Sequence, residues 1–240
     1  MAIGISVVVP VKDEEKNVAP LANEIAAAIA NEPSAEIIFV DDGSTDATPD
    51  MLVNLKQRLP QLRVIRHARN LGQSRSILTG VRAALFDTIV TLDGDGQNDP
   101  ADIPKLLAIL RADENGIGLV SGIRTQRRDS LSRRLVSRAG NAIRSRLLRD
   151  GASDTGCGLK AFRREAFLTL PYFDHMHRFI IALMLREGFG VRFVEVNHRE
   201  RRYGASKYTN VGRMLVSVND LLGVRWLQRR YQGQTEAREL

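Results

Sequence analysis

Short apolar runs alternate with segments of helical periodicity along the first half of this chain. The apolar runs are predicted as strands and span residues 3–10, 36–41, 62–67, 87–93 and 117–121. The intervening segments, residues 14–30, 48–59, 74–86 and 101–112, carry apolar side chains at the spacing of an amphipathic helix. Strands that are apolar throughout and that alternate with helices are typical of a parallel sheet covered on both faces. The sequence therefore predicts an α/β fold with a mostly parallel, Rossmann-like sheet.

Length and composition narrow the class further. A chain of 240 residues, of which 43% are hydrophobic, forms one large domain or two small ones with a substantial core. Every stretch of 18 residues contains a charge, so no bilayer-spanning segment is predicted, and no signal peptide is expected from the amino-terminal pattern. The single cysteine, Cys157, excludes an internal disulfide and fits a reducing compartment. We expect it to be a structural thiol.

The net charge of +7 is concentrated in one segment. Residues 121–149 contain nine arginines and a single acidic residue, Asp129, so the rest of the chain is close to neutral. Local basicity of this kind indicates an anionic partner, such as a phosphate, a lipid headgroup or nucleic acid. Nucleic acid is disfavoured because aromatic residues make up 5% of the chain and none lies among these arginines, so a stacking platform is missing.

The most informative motif is the pentapeptide DGDGQ at the end of the fourth predicted strand. Asp93, Asp95 and Gln97 offer only hard oxygen ligands, which suit Mg²⁺ or Mn²⁺ and suit zinc poorly. Proteins usually hold Mg²⁺ by one or two carboxylates together with substrate phosphates. The motif therefore predicts a metal site for a phosphate-bearing ligand, and the alternative is an ordinary polar turn.

Three further polar turns follow predicted strands, at residues 10–15, 41–46 and 67–72. Because the carboxyl ends of parallel strands meet at one edge of a sheet, these turns and the DGDGQ motif should lie together. Asp42 could accept a hydrogen bond from a nucleobase N–H, and Ser44 or Thr45 could cap the next helix. This edge is therefore the predicted ligand site.

Two basic amphipathic helices are predicted in the second half, at residues 130–148 and 211–230. Such helices lie either in a membrane interface, with arginines near lipid phosphates, or on the surface of the core. The second contains the only tryptophan, Trp226, which suits an interface. The pattern alone leaves both interpretations open.

With these motifs in place, the chain resembles the inverting family-2 glycosyltransferases of GT-A fold, and most closely the polyprenyl-phosphate branch that includes dolichol-phosphate mannose synthase. The resemblance covers residues 3 to 210, and the order and spacing of its segments are more specific than any one of them. The segments are VVVPVKDEEKNV, FVDDGSTDAT, RNLGQSRSILTG, LDGDGQNDP, DTGCGLKAFRR and HRERRYGASKY.

The resemblance implies roles for individual residues on the donor side. Those implied to bind the nucleotide-sugar donor are Pro10, Lys12, Glu14, Asp42, Asp93, Asp95 and Arg201. Those implied to hold Mg²⁺ or Mn²⁺ are Asp93, Asp95 and Gln97. Lys12 stands where relatives usually have an aromatic residue, so the base is left open, and Gly94 and Gly96 say little about the sugar.

The resemblance also implies how the acceptor is held. Arg124, Arg133, Ser137 and Lys207 would grip the phosphate of a polyprenyl acceptor, and Asp95, Arg124 and Arg133 would be the catalytic residues. That phosphate is already anionic at neutral pH, so no general base is required and no histidine is nominated. His175 and His177 are expected to serve packing or surface roles.

The predicted function is the inverting transfer of one sugar from a nucleotide-sugar to a polyprenyl phosphate. We expect peripheral association with the cytoplasmic face of the membrane, directly or through a separate membrane subunit, and a homo-oligomer is compatible. Predicted boundaries are residues 1–122 for the donor half, 123–210 for the acceptor part of the same domain and 211–240 for an amphipathic helix with a polar tail. Many relatives have a pair of transmembrane helices after the catalytic region, and no such pair is predicted within these 240 residues.

Two alternatives remain at this point. The first is a family-2 glycosyltransferase for a hydroxyl acceptor, which would need a general base, and Asp154 is the best candidate. The second is a non-enzymatic adaptor that binds anionic membranes through the arginine-rich segment.

Overall fold

The computed structural model describes residues 4–112, 116–124, 144–201, 203, 210–231 and 233, with only the backbone described for residues 210–217. Within these ranges one sheet of seven strands carries helices on both faces. The strands are β1 Ile5–Val11, β2 Ala35–Asp41, β3 Leu62–Arg66, β4 Thr88–Thr91, β5 Ile117–Arg124, β6 Lys160–Arg163 and β7 Gly190–Val196. The helices are α1 Val18–Ala28, α2 Thr48–Arg58, α3 Gln73–Ala83, α4 Ile103–Ala112, α5 Arg164–Leu168, α6 Ile180–Arg186 and α7 Asn210–Arg230.

The strand order is β3-β2-β1-β4-β6-β5-β7, and only β6 runs against the others. The first four strands pair in parallel, and β7 pairs in parallel with β5. The prediction of a mostly parallel sheet is therefore confirmed. The antiparallel β6 lies between β4 and β5, which brings the loop that precedes it to the carboxyl end of β4.

Side chains of successive strand residues point to opposite faces of the sheet. Val7 and Val9 of β1 therefore lie in one buried cluster with α1, α2 and α4, while Val8 lies in the other cluster with α3, α5 and α6. Leu221, Val224 and Leu227 place α7 on this second face. Both faces of the central strands are covered, which is why their sequences are apolar throughout.

The five strands predicted from sequence are present, with ends that differ by a few residues. The helix predicted over residues 14–30 begins only at Val18, because the carbonyl of Glu14 accepts from the amides of Asn17 and Val18 in a turn. Residues 144–148 are helical, and the rest of the helix predicted over 130–148 lies outside the described residues. The helix predicted over 211–230 is confirmed as α7.

Two strands were missed by the sequence analysis. The first, β6, has four residues and contains a buried lysine, and β7 is an edge strand in which only Val194 and Val196 are buried. Neither has the long β-branched pattern on which strand prediction depends. β5 runs across the predicted boundary at residue 122, so the two halves share one sheet, and the proposed division remains a prediction.

None of the described helices combines the length with the hydropathy that a bilayer crossing requires.

Candidate active site

The loops that follow β1 and β2 are joined at the carboxyl edge of the sheet. The amide of Asp13 donates to the hydroxyl of Ser44 at 2.9 Å, and the amide of Thr45 donates to the carboxylate of Asp13 at 2.8 Å. Ser44 and Thr45 therefore bind the first loop, and the capping role predicted for one of them is wrong. The N-cap residue of α2 is Ala47, and Asp46 just before it accepts from the amide of Thr48 at 3.0 Å.

Asp42 connects the second loop with the third. Its Oδ1 accepts from the amide of Leu71 and lies 2.8 Å from Nδ1 of His67, and its Oδ2 accepts from the amide of Gly72 at 2.8 Å. Nε2 of His67 lies in turn 3.0 Å from the hydroxyl of Thr79. The carboxylate predicted to bind a nucleobase thus also orders the loop after β3, and it keeps free lone-pair capacity only on Oδ2.

Lys12 lies at the junction of the first two loops. Its ammonium group donates to the carbonyl of Gly43 at 3.1 Å and lies 3.5 Å from the carboxylate of Asp13. Pro10, two residues earlier, is in the last part of β1 and is half-buried. Both residues are at the edge where the nucleotide pocket was predicted.

The DGDGQ motif directly follows β4, and each of its polar side chains has a defined contact. Asp93 accepts at Oδ1 from the side-chain amide of Gln73 at 2.8 Å, and Asp95 accepts at Oδ1 from the amide of Gln97 at 3.1 Å. The side-chain nitrogen of Gln97 donates to the carbonyl of Arg199. The α-carbon of Gly158 packs on Asp93, since a Cβ at residue 158 would lie 2.4 Å from the carboxyl carbon.

The electrostatics of Asp93 fit a cation site. Burial, followed by repulsion from Asp95, raises the pKa of Asp93 from 3.8 to about 6, and the charges of Lys160 and Arg124 oppose this shift. A divalent cation would relieve the repulsion between the two carboxylates, and their oxygens suit Mg²⁺ or Mn²⁺. In the described ranges no three His, Cys, Asp or Glu residues cluster, so the remaining ligands would be other oxygens, such as those of substrate phosphates.

Arg201 joins the first loop to the metal motif. Its Nη2 donates to Oε1 of Glu14 at 2.6 Å, and its Nη1 lies 4.0 Å from Oδ2 of Asp95. Two residues before Arg201, the amide of Arg199 donates to the carbonyl of Gln97 at 2.9 Å, and this bond holds the segment against the DGDGQ motif. Three residues predicted from separate segments to bind the donor are therefore in contact.

Arg124, at the end of β5, is held by Asp154. Its Nε and Nη2 each donate to one carboxylate oxygen at 2.7 Å, and its amide donates to the same group at 3.2 Å. The side chains are 14% and 7% exposed. Both oxygens of Asp154 are thus occupied by a guanidinium, so this residue positions Arg124 and is poorly suited to the general-base role considered above.

Lys160 and Gln73 are site residues that the sequence analysis missed. The Lys160 side chain is buried, at 5% exposed, and its ammonium group donates to the carbonyl of Cys157. Burial lowers the pKa of Lys160, while the charges of Cys157, Asp93 and Asp154 partly offset this shift. A charged residue inside the apolar run GLKAF was the available signal for Lys160, whereas nothing marked Gln73 beyond its place in the segment RNLGQSRSILTG.

The two histidines of the second half behave differently. Nδ1 of His177 lies 2.7 Å from the hydroxyl of Ser74, and burial lowers the pKa of His177 to about 3, so its ring is neutral at pH 7. The contact with Ser74 is consistent with the packing or surface role expected for His177. His175 has a left-handed backbone conformation, and its Nδ1 lies 3.6 Å from the carboxylate of Asp220 on α7.

Residues 6–170 match the sequence model of Glycosyl transferase family 2. The chain belongs to glycosyltransferase family 2. Membership confirms the resemblance drawn from the motifs and the enzyme class predicted from it.

This family-2 glycosyltransferase has well-matched relatives among polyprenyl-phosphate enzymes. It is 36% identical over 236 residues to dodecaprenyl-phosphate galacturonate synthase of Rhizobium johnstonii. The alignment covers 95% of this chain and 68% of the relative. It is 35% identical over 207 residues to undecaprenyl-phosphate 4-deoxy-4-formamido-L-arabinose transferase of Salmonella paratyphi A, and this alignment covers 85% of this chain. The chain spans 62% of that second relative, which is less than two thirds of its length.

Solved structures show the same fold at low identity. Glucosyl-3-phosphoglycerate synthase of Mycobacterium tuberculosis in complex with UDP superposes with a TM-score of 0.71 at 21% identity, over 95% of this chain and 80% of that one. Mannosyl-3-phosphoglycerate synthase of Rubrobacter xylanophilus superposes with a TM-score of 0.74 at 18% identity, over 99% and 78% of the two chains. These likenesses confirm the predicted GT-A fold.

Three of the residues assigned to the acceptor phosphate, Arg133, Ser137 and Lys207, lie outside the described residues. The remaining predicted site residues, on both the donor and the acceptor side, lie around one edge of the sheet. At this edge the acidic pair Asp93 and Asp95 lies on one side of the loop that contains Gly158. The Arg124–Asp154 ion pair lies on the other side of that loop.

Proposed function

We propose that this glycosyltransferase moves one sugar from a nucleotide-sugar to a polyprenyl phosphate of the dolichyl or undecaprenyl type, with inversion at the anomeric carbon. The observation that carries the proposal is the placement of the Asp93–Asp95 pair beside an arginine, Arg124, that is held rigidly by Asp154. The names of the two relatives above both specify a polyprenyl phosphate, and this supports the acceptor class.

On the donor side, Pro10, Lys12, Glu14 and Asp42 would line the nucleotide pocket. Lys12 replaces the stacking ring expected there with a cation, which favours contact with phosphate or with a base carbonyl. Arg201, between Glu14 and Asp95, would place a second positive charge where the diphosphate leaves. Fixed charges aimed at a developing charge are the largest single contribution in many enzymes.

Asp93 and Asp95, with Gln97, would hold Mg²⁺ or Mn²⁺. The cation, when bound, supplies neutralising charge to the leaving nucleoside diphosphate. A glycosyltransferase of the same fold was crystallised with Mn²⁺ and UDP-glucose, which supports a divalent ion here without choosing between the two metals. Gln73 would keep Asp93 oriented through its hydrogen bond.

On the acceptor side, Arg124 would bind the lipid phosphate together with Arg133, Ser137 and Lys207. A phosphate monoester has a second pKa of about 6, so it is already anionic at pH 7 and its oxygen attacks without a general base. The guanidinium groups would orient it and hold it by paired hydrogen bonds. A hydroxyl acceptor would need a free carboxylate, whereas Asp154 already binds Arg124 through both oxygens. The adaptor alternative is disfavoured because the chain belongs to an enzyme family.

The function is tested by transfer of a labelled sugar in the presence of Mn²⁺ to undecaprenyl phosphate and to undecaprenol, which has the same chain but no phosphate. We expect product only with the phosphate, and complete loss of product after chelation with EDTA. The nucleotide is chosen beforehand as the nucleoside diphosphate that raises the melting temperature most, since a bound donor stabilises the fold. Equal transfer to the free alcohol, or full activity in EDTA, would contradict the proposal.

We also propose that α7 makes peripheral contact with the cytoplasmic face of the membrane, with or without a separate membrane subunit or a homo-oligomer. Val218, Leu222 and Trp226 lie four residues apart on this helix and are 49%, 58% and 58% exposed. Exposed Arg229 and Arg230 follow them. An apolar stripe with arginines at its end suits an interface with anionic lipid.

The fluorescence of Trp226 tests this contact directly, because it is the only tryptophan. We expect its emission to shift to the blue with phosphatidylglycerol vesicles, where the ring leaves water, and much less with phosphatidylcholine alone. Leu222→Ser should weaken the shift, whereas Leu85→Ser, at a more exposed leucine before β4, should not. Unchanged emission with anionic vesicles would rule the contact out.

A further inference from the structure

A cavity of about 530 Å³ lies next to the donor site, between the loop after β3 and the segment before α6. Its walls include Arg69, Asn70, Gln73, His175, His177 and Arg178. The volume falls within the range of about 300 to 1,000 Å³ that is usual for small-molecule sites. None of the donor-site contacts among Asp42, Asp93, Asp95 and Arg201 fills this cavity.

The cavity shares its wall with both ends of the donor site. Gln73 lines it and donates to Asp93 at 2.8 Å. Leu71 and Gly72 also line it, and their amides hold the carboxylate of Asp42. A ligand that reaches from Asp42 to the metal carboxylates therefore passes along this wall, and the group bound next to the diphosphate has the cavity beside it.

The cavity is rich in positive charge. Within the described ranges, the guanidinium groups of Arg69 and Arg178 make no hydrogen bond or ion pair. The acidic side chain on the wall, Asp174, is largely exposed and accepts from the amide of His175. The nearby Asp220 faces His175. Arg178 also interacts electrostatically with Asp220, so the two arginines lie near two carboxylates, Asp174 and Asp220. Within the described ranges neither guanidinium group is held by a direct contact, which leaves both available to an anionic occupant.

Neutral polar groups complete the wall. The ring of His177 is uncharged, and Asn70 and Gln73 add amide groups. Amides and a neutral imidazole suit the hydroxyl groups of a sugar, and guanidinium groups suit a carboxylate, which they bind by two parallel hydrogen bonds. The combination matches a sugar that is itself acidic.

We propose that this cavity receives the sugar of the donor and selects a hexuronic acid, whose carboxylate is bound by Arg178 and Arg69. The inference rests on the proposed function and goes beyond it by naming the class of sugar. A neutral hexose would leave the two arginines without a partner, and that difference is the source of the selectivity.

The test compares two donors of one base that differ only in the carboxylate, such as UDP-glucuronate with UDP-glucose, or GDP-mannuronate with GDP-mannose. Initial rates with undecaprenyl phosphate give kcat/KM for each. We expect the uronate donor to be preferred by about ten- to hundredfold, the size of one hydrogen-bonded charge contact. Arg178→Gln and Arg69→Gln should each reduce this ratio, whereas Arg192→Gln, at an exposed arginine of β7, should leave it unchanged.

The outcomes separate this inference from the proposed function. Transfer of the neutral hexose at equal or higher efficiency overturns the sugar assignment and leaves the proposed function standing. If no donor is transferred to lipid phosphate, the proposed function fails, and calorimetry of the two donors with Mn²⁺ decides the inference by itself. Equal affinity for the two donors, or an undiminished preference in both arginine variants, overturns it.

Discussion

Replacing Asp95 by asparagine is expected to lower sugar transfer by about two to three orders of magnitude, the usual effect of removing one charge-stabilising group. The substitution keeps the shape of the side chain and its contact with the amide of Gln97, but it removes half of the negative charge that would hold the metal. Initial rates with saturating lipid phosphate measure the loss. Asp50→Asn, at an exposed aspartate in the first turn of α2, is the matched control and should retain full activity.

The same substitution should not weaken the fold at pH 7.5. The pKa of Asp93 is raised from 3.8 to about 6, so between these values the folded protein keeps a proton that the unfolded chain releases. Stability therefore falls as the pH rises through that window, and the charge of Asp95 contributes to the fall. Without this charge the melting temperature at pH 7.5 should equal or exceed that of the unsubstituted protein. A strongly lowered melting temperature would mean that lost activity reports lost structure, and unchanged turnover would remove Asp95 from catalysis.

Replacing Asp154 by alanine is expected to lower the free energy of unfolding by about 3 to 5 kcal/mol, because it leaves the buried Arg124 without its partner. Lys160 is a second buried cation in the same cluster, which adds to the cost. For a chain of this size the loss corresponds to a fall in melting temperature of about 6 to 20 °C. Urea unfolding followed by circular dichroism measures the change.

A double-mutant cycle separates this pair from general damage. Removing both charges, with Asp154→Ala and Arg124→Met, should restore a large part of the stability, since no unpaired charge then remains at this position. The pair of Arg111 and Glu32 is the control, because Arg111 is 44% exposed and stays solvated when its partner is removed, so Glu32→Ala should cost less than about 1 kcal/mol. If Asp154→Ala costs no more than Glu32→Ala, the Arg124–Asp154 pair is not a structural clamp.

Much of the fold was accessible from sequence because it depends on local pattern. Apolar runs of five to eight residues, separated by amphipathic segments, predicted five of the seven described strands and the helices between them. β6 and β7 escaped because one is short with a buried lysine and the other lies at an edge. Helix ends were misplaced where side chains of distant loops decided them, as at Glu14, whose amide donates to Thr48.

The parts of the site that depend on short sequence motifs could be predicted from the sequence. The DGDGQ pentapeptide predicted an oxygen-ligand metal site at the end of β4, and the ordered series of motifs predicted the family. The part played by Asp154 was open, since a carboxylate near an acceptor site suits either a base or an arginine partner. The bidentate contact with Arg124 favours the second role.

The sequence alone indicated a mostly parallel α/β sheet, the family, and a pair of carboxylates as the predicted metal ligands, because each depends on patterns of residues close together in the chain. The contacts that make the site required the tertiary structure: Arg201 meets Glu14 across 187 positions, and Gln73 meets Asp93 across 20. The physical reason lies in the strand order. The antiparallel β6, which begins at Lys160, enters between β4 and β5, so the loop before it brings Gly158 against Asp93. Hydrophobic burial on both faces of the sheet holds this arrangement in place.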